Sequence, residues 1–130
     1  MRKNVLRLVS TVPGILMAIN GIGWLVQPEE AAKGLGMPFL DGIGRSTQIG
    51  DFGSFFLGIT ILVFVGAFRC QGHWLYSAAL FLGGAAVIRV FAALVHGAGM
   101  ATEFIVAEIV MTIWLVVCAY LMDKIDTSSV

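Results

Sequence analysis

The stretch Arg45–Phe68, "RSTQIGDFGSFFLGITILVFVGAF", decides the fold class of this chain. From Thr47 onward it stays largely apolar for about the 20 residues that an α-helix needs to cross the hydrocarbon core of a bilayer. One ionisable residue, Asp51, interrupts the run near its start. A carboxylate at that depth costs free energy unless it faces protein or water, so its presence calls for a structural or functional reason.

The composition of the whole chain favours the same class of protein. Hydrophobic residues make up 58% of the 130 residues and charged residues only 12%, whereas a soluble domain carries about 25% charged residues. A short soluble chain leaves much of its surface in water, and these few charges cannot cover it. The net charge is zero and no basic patch stands out, which argues against nucleic-acid binding.

Three further apolar runs have a similar length. Together the four predicted spans are residues 5–26, 47–68, 73–95 and 102–122. The first run is too long for the apolar part of a signal peptide, about 7–15 residues, and no small-x-small cleavage site follows it. Short connections between later spans make neighbouring helices antiparallel. We therefore predict an all-α fold, a four-helix transmembrane bundle that forms one integral membrane domain over residues 1–130.

The connection between the first and second spans carries helix signals of its own. In "QPEEAAKGLGMP", Pro28 suits a first helical position, Glu29 and Glu30 suit the positive end of a helix dipole, and Lys33 with Gly34 suits a helix end. This pattern predicts a short interfacial helix.

Small residues predict where helices approach closely. Gly14 with Ala18 in the first span, and Ala79 with Gly83 in the third, follow the small-xxx-small pattern of membrane helix contacts. The pattern fits a compact bundle or a homo-oligomer equally well.

The distribution of basic residues predicts the orientation. With a cytoplasmic N-terminus, five of the eight basic residues lie on the cytoplasmic side, two lie on the outer side, and Arg89 is within a span. The cytoplasmic set is Arg2, Lys3, Arg7, Arg69 and Lys124, and the outer set is Lys33 and Arg45. The positive-inside rule then predicts a multi-pass protein of the bacterial inner (cytoplasmic) membrane with both termini in the cytoplasm.

Each predicted span contributes one polar residue to a layer near the outer face. At 1.5 Å per residue these residues lie roughly 6–9 Å below the outer boundary. They are Asn20, Asp51, Arg89 and Glu108. Gln48 shares a helix face with Asp51, His96 continues the face of Arg89, and Arg45 and Glu103 lie nearer the rim. The cytoplasmic halves contribute almost no such groups, so we predict that this polar layer is a site.

Two interpretations of the polar layer remain open. Arg89 bridging Asp51 and Glu108 would form a structural ion-pair network that fixes helix packing. Alternatively, the layer lines an outward-opening pocket for a ligand or a proton. Two carboxylates outnumber one arginine, which leaves one of them available to exchange a proton and favours the pocket.

Other kinds of site receive less support. Asp51, His96, Glu103 and Glu108 are residue types that bind metal ions, but no HxxH, ExxH or HExxH spacing occurs, so we predict no metal and no cofactor. No GxSxG elbow is present, and catalytic residues remain unknown. Acid–base chemistry by Asp51 or Glu108 stays open, although the residues favour a binding protein over an enzyme.

Short motifs along most of the chain resemble those of a group of uncharacterised bacterial four-helix integral membrane proteins, DoxX-like in general layout. They are "GR" before the Gly-rich second span (Gly44, Arg45), a late arginine in the third span (Arg89) followed by "HG" (His96, Gly97), and a glutamate in the fourth span (Glu108). The resemblance implies a four-helix membrane fold and supplies no mechanism.

Three functions follow as hypotheses. The leading one is that the polar layer binds a small or lipid-like ligand, with affinity coming mainly from apolar helix surface. The second is proton-coupled or ion transport by an oligomer, which requires a polar path through the cytoplasmic half. The third is an accessory or scaffold subunit of a larger membrane complex, in which the ion pairs are only structural. The expected partners are the lipid bilayer, such a ligand, and further copies or other membrane proteins.

Overall fold

The computed structural model describes residues 2–127, with side chains as far as Ile125. Within that range the chain forms five α-helices and no strand. They are α1 (Arg2–Val26), α2 (Pro28–Gly34), α3 (Gly42–Arg69), α4 (Gly72–His96) and α5 (Thr102–Thr127). The prediction of an all-α protein is confirmed.

Four of these helices are long and apolar enough to cross a membrane: α1, α3, α4 and the Thr102–Ile125 part of α5. Each predicted span lies inside one of them. The largest difference is at α3, which begins at Gly42, before the predicted start at Thr47, and so includes Arg45 in its first turns. Four such helices indicate a multi-pass membrane protein.

The short helix α2 begins and ends as its residues predict. Pro28 occupies the first helical turn, Glu29 and Glu30 follow it, and Lys33 lies in the last turn. Ala32 is fully buried, so one face of α2 packs on the rest of the protein while its charged residues are exposed.

Close approaches between helices occur at glycines. A Cβ atom on Gly14 of α1 would lie 2.8 Å from Cγ1 of Val63 on α3, and one on Gly21 would lie 2.6 Å from Cδ2 of Leu57. On the other side of the molecule, a Cβ on Gly83 of α4 would lie 3.2 Å from a methyl group of Thr112 on α5. The small residues at positions 14 and 83 therefore lie in helix contacts, as the small-xxx-small pattern indicates.

The largest fully buried side chains come from all four long helices. They include Trp24, Ile59, Leu75, Leu82, Leu115 and Met122. Trp24 of α1 stacks on Phe52 of α3 with their ring centroids 5.1 Å apart. This contact fixes the rotation of α3 about its axis near Asp51 and is important for the site described next.

Candidate functional site

An ion pair between α4 and α5 forms the centre of the site. Nε of Arg89 donates to both carboxylate oxygens of Glu108, at 3.0 and 3.2 Å. The Glu108 side chain is 10% exposed and that of Arg89 is 33% exposed. Phe104 lies one turn before Glu108 on α5, and its ring centroid is 5.1 Å from Cζ of Arg89. The guanidinium is thus held by one carboxylate and one aromatic ring, an arrangement that favours a cation away from bulk water.

The two terminal nitrogens of Arg89 have no partner among residues 2–127. A guanidinium carries five N–H donors, and the contact with Glu108 uses only the one on Nε. Four donors therefore remain available in an otherwise apolar part of the molecule. Unpaired polar groups in such surroundings are expensive unless something accepts their hydrogen bonds.

Arg89 and Glu108 line a cavity of about 410 Å³. Side chains from α1, α3, α4 and α5 form its walls, and most of them are apolar. The principal ones are Leu16, Phe55, Phe56, Leu82, Met111 and Trp114. This volume lies within the range of about 300–1,000 Å³ that is typical of pockets for small molecules, which are also mostly apolar with a few polar groups.

The cavity opens sideways between α1 and α5. Six of its lining residues on these two helices are exposed at the surface of the molecule. On α1 they are Val12, Leu16 and Asn20, and on α5 they are Ala107, Val110 and Trp114. An opening between two membrane-length helices faces the region that lipid tails would occupy.

One edge of this opening is fixed by an interhelical hydrogen bond. Nε1 of Trp114 donates to the backbone oxygen of Val9, at 3.1 Å. In a regular helix that oxygen accepts the N–H of residue 13, but residue 13 is a proline inside α1 and has no N–H. The missing bond in α1 is therefore replaced by the indole of α5, which positions Trp114 beside the cavity.

We expect Trp114→Phe to lower the free energy of unfolding by about 1 kcal/mol, because the oxygen of Val9 loses its donor. In a Pro13→Ala background, the N–H of residue 13 satisfies that oxygen, and the same substitution should cost less. Chemical denaturation of the four proteins in detergent micelles gives the coupling between the two positions. Equal costs of Trp114→Phe in the two backgrounds would mean that the hydrogen bond contributes nothing to stability.

Asn20 lies at the same opening, on the exposed side of α1. Its amide Nδ2 donates to the backbone oxygen of Leu16 in the preceding turn, at 2.9 Å. Three of the four residues of the predicted polar layer (Asn20, Arg89 and Glu108) therefore line one cavity.

Asp51 is next to this group but makes no ion pair with it. It is exposed, and it lines a second cavity of about 380 Å³ to which Arg89 and Glu108 also contribute. Within the described part of the chain, Arg89 thus pairs with Glu108 alone instead of bridging both carboxylates. The reason is the rotation of α3. Phe52 faces Trp24, so Asp51, the residue before it, points about 100° away from that direction.

Gln48 has a structural position outside the cavity. Its side chain is buried and makes two hydrogen bonds to the loop before α3. Oε1 accepts the N–H of Leu40 at 2.9 Å, and Nε2 donates to the backbone oxygen of Pro38 at 3.0 Å. The amide therefore holds the loop between α2 and α3 against the first turns of α3.

Replacing Gln48 with leucine removes both of these hydrogen bonds. We expect the amide of Leu40 to exchange with deuterium several-fold faster, since one lost bond costs about 1 kcal/mol locally. Thr47→Val is the matched control, because the Thr47 hydroxyl bonds only to its own helix at Ile43. Unchanged exchange at Leu40 in the Gln48 variant would contradict this role.

The remaining predicted residues lie away from the ion pair. His96 is the last residue of α4, exposed, with its ring centroid 5.6 Å from that of Phe91. Arg45 pairs with Asp41 at 2.7 Å, and Glu103 is exposed in the first turn of α5. Among the described residues, no three His, Cys, Asp or Glu side chains come together as a set of metal ligands.

Sequence reasoning did not include two residues of the site, Phe104 and Trp114. Phe104 is four positions before Glu108 and so must share its helix face. The signal for Trp114 was Pro13, because a proline inside a helix leaves a carbonyl four residues earlier that needs an outside donor. Both signals are present in the sequence, but neither identifies the partner helix.

No protein-family model matches this chain, and no curated protein or solved structure shows a significant similarity to it.

Proposed function

We propose that this protein binds a small or lipid-like ligand in the cavity beside Arg89 and Glu108. The observation that carries the proposal is that a largely apolar cavity of about 410 Å³ contains an arginine whose terminal nitrogens have no partner in the described chain. Apolar walls would supply most of the affinity, and the guanidinium would orient the ligand. The sideways opening between α1 and α5 suits a ligand that arrives from the membrane.

The proposal includes a membrane topology. α1, α3, α4 and α5 would cross the bacterial inner membrane as an antiparallel bundle, which the two-residue connection between α3 and α4 and the five-residue connection between α4 and α5 favour. α2, with its charged residues exposed and Ala32 buried, would lie at the outer interface. The basic residues favour cytoplasmic termini, and membership of a DoxX-like family is part of the same proposal.

Co-purification tests the proposal directly. Ala107→Phe places a ring in the opening, whereas Val106→Phe places the same ring on an exposed position of α5 outside the cavity lining. Mass spectrometry of the small molecules that remain with each protein in mild detergent should show one defined compound with the wild type and Val106→Phe, and none with Ala107→Phe. The same bulk lipids with all three proteins would contradict ligand binding in this cavity.

A second candidate function is that of an accessory subunit or a homo-oligomer, in which the exposed face of α3 around Asp51 contacts the neighbouring protein. Asp51 favours it, because this carboxylate is exposed at membrane depth and makes no ion pair or side-chain hydrogen bond among the described residues. A neighbouring protein that donates hydrogen bonds to Asp51 would remove the cost of exposing it to lipid.

A transport function has less support, because it needs a polar path through the predicted cytoplasmic halves of the spans. The polar side chains there bond to backbone oxygens instead of lining a path: Ser10 donates to Arg7, Thr60 to Phe56, and Ser77 to His73. A proton or ion pathway would need polar groups that remain available along its length.

A further inference from the structure

The hydrogen-bonding groups of the cavity indicate the chemical class of its ligand, an inference that rests on the proposed function. Arg89 is about three times as exposed as Glu108, and both carboxylate oxygens already accept from Nε. On α5, Trp114, which lines the cavity, also has an N–H donor. That donor already bonds to the backbone oxygen of Val9. Asn20, on α1, adds an amide to the cavity, with Nδ2 bonded to a backbone oxygen of its own helix. At the ion pair itself a ligand meets mainly the unused donors of Arg89, which favours a head group that accepts hydrogen bonds.

The charges around the cavity disfavour an ionised head group. Arg89 and Glu108 sum to zero, so an anion would introduce an uncompensated negative charge into apolar surroundings. Asp51, on the adjoining cavity, adds a further negative charge and makes an anion still less favourable. A cationic head would meet the positive guanidinium first. An uncharged acceptor bonds to one or two of the free donors and leaves the net charge of the cavity at zero.

The walls and the opening define the rest of the molecule. Aromatic and aliphatic side chains from four helices surround the cavity, and its mouth lies between α1 and α5. An apolar body of modest size would fit these walls and could reach them from the membrane. We propose that the ligand is an uncharged amphipathic molecule whose head is a carbonyl acceptor, such as an ester or a ketone, held by the terminal N–H groups of Arg89.

Trp114 provides a reporter for this inference. The chain has three tryptophans. Trp74→Phe leaves Trp114, which lines the cavity, and Trp24, which is only 1% exposed and stacks on Phe52. A probe in the cavity therefore contacts Trp114. Four brominated probes with the same chain length are compared in detergent micelles: a methyl ester, a fatty acid, an alkylamine and an alkane. Bromine quenches indole fluorescence on contact, and the Ala107→Phe version of the reporter gives the quenching that comes from the micelle alone.

We expect saturable quenching by the ester at about tenfold lower concentration than by the acid, the amine or the alkane. The reason is that the ester carbonyl accepts one or two hydrogen bonds from the charged guanidinium of Arg89. In Arg89→Leu/Glu108→Leu, the ester should bind no more tightly than the alkane binds to the same variant. Arg89→Lys, which keeps the charge and can still pair with Glu108, should retain the fold while weakening the preference for the ester.

The possible failures are distinguishable. Binding of the acid, the amine or the alkane as tightly as the ester would overturn the uncharged carbonyl head and leave ligand binding in the cavity intact. An ester preference that survives in the double leucine variant would overturn the role of Arg89. Quenching by all four probes that does not exceed the Ala107→Phe level would overturn the proposed function itself.

Discussion

Replacing Arg89 with leucine is expected to lower the free energy of unfolding by about 3–5 kcal/mol. The loss comes mainly from Glu108, whose side chain is only 10% exposed and whose carboxylate would lose the one cation that contacts it among the described residues. Removing one partner of a buried pair leaves the other charge without compensation, which costs more than the pair contributes when both are present. Thermal or chemical unfolding in detergent micelles measures the difference.

Three further variants separate this explanation from a simple loss of packing. Glu108→Leu should cost less than Arg89→Leu, because the arginine is one-third exposed and its long side chain can move its charge toward the membrane boundary. The double variant Arg89→Leu/Glu108→Leu should recover most of the wild-type stability, and Arg89→Lys should lie in between. A double variant that is less stable than either single variant would contradict the assignment of the cost to an uncompensated charge.

The second large effect is expected at Gly72, the first residue of α4. A Cβ atom there would lie 2.6 Å from the backbone oxygen of Ala119 and would also collide with the carboxylate of Asp123. A backbone oxygen inside a helix cannot move aside as the end of a flexible side chain can. Gly72→Ala should therefore separate α4 from α5 and lower the free energy of unfolding by about 2–3 kcal/mol, as overpacking does elsewhere.

Gly84→Ala is the matched control on the same helix. A Cβ at Gly84 would meet no atom within 4 Å, and alanine favours a helix over glycine by about 0.5–1 kcal/mol. Gly84→Ala should leave stability unchanged or raise it slightly. If Gly72→Ala is as well tolerated as Gly84→Ala in the same unfolding experiment, the close contact of α4 with α5 is not as tight as the structure has it.

Together these variants make the binding experiments interpretable. The double leucine variant removes the ion pair of the cavity and is expected to keep the protein stable, and Ala107→Phe closes the opening while leaving the ion pair in place. A loss of ligand in the first therefore reports on the head group, and a loss in the second reports on access to the cavity.

Local sequence features were enough to predict the helices. Each predicted span lies within one long helix because a run of about 20 apolar residues is a property of one segment alone. The same holds for α2, whose start at Pro28 and end at Gly34 follow from residues inside the segment. The common depth of Asn20, Asp51, Arg89 and Glu108 is likewise a prediction from the sequence, since depth along a helix depends only on residue number.

Only the tertiary structure decided which of these polar groups meet. Depth does not fix the rotation of a helix about its own axis, and helices that are apolar on nearly every side carry little periodicity to reveal it. The stacking of Trp24 on Phe52 turns Asp51 outward, so that Glu108 is the carboxylate that pairs with Arg89 among the described residues. In the same way, Pro13 showed that Val9 needs a donor, but packing of α5 against α1 determined that Trp114 supplies it. The cavity exists because of these rotations, which depend on contacts between helices that are distant in sequence.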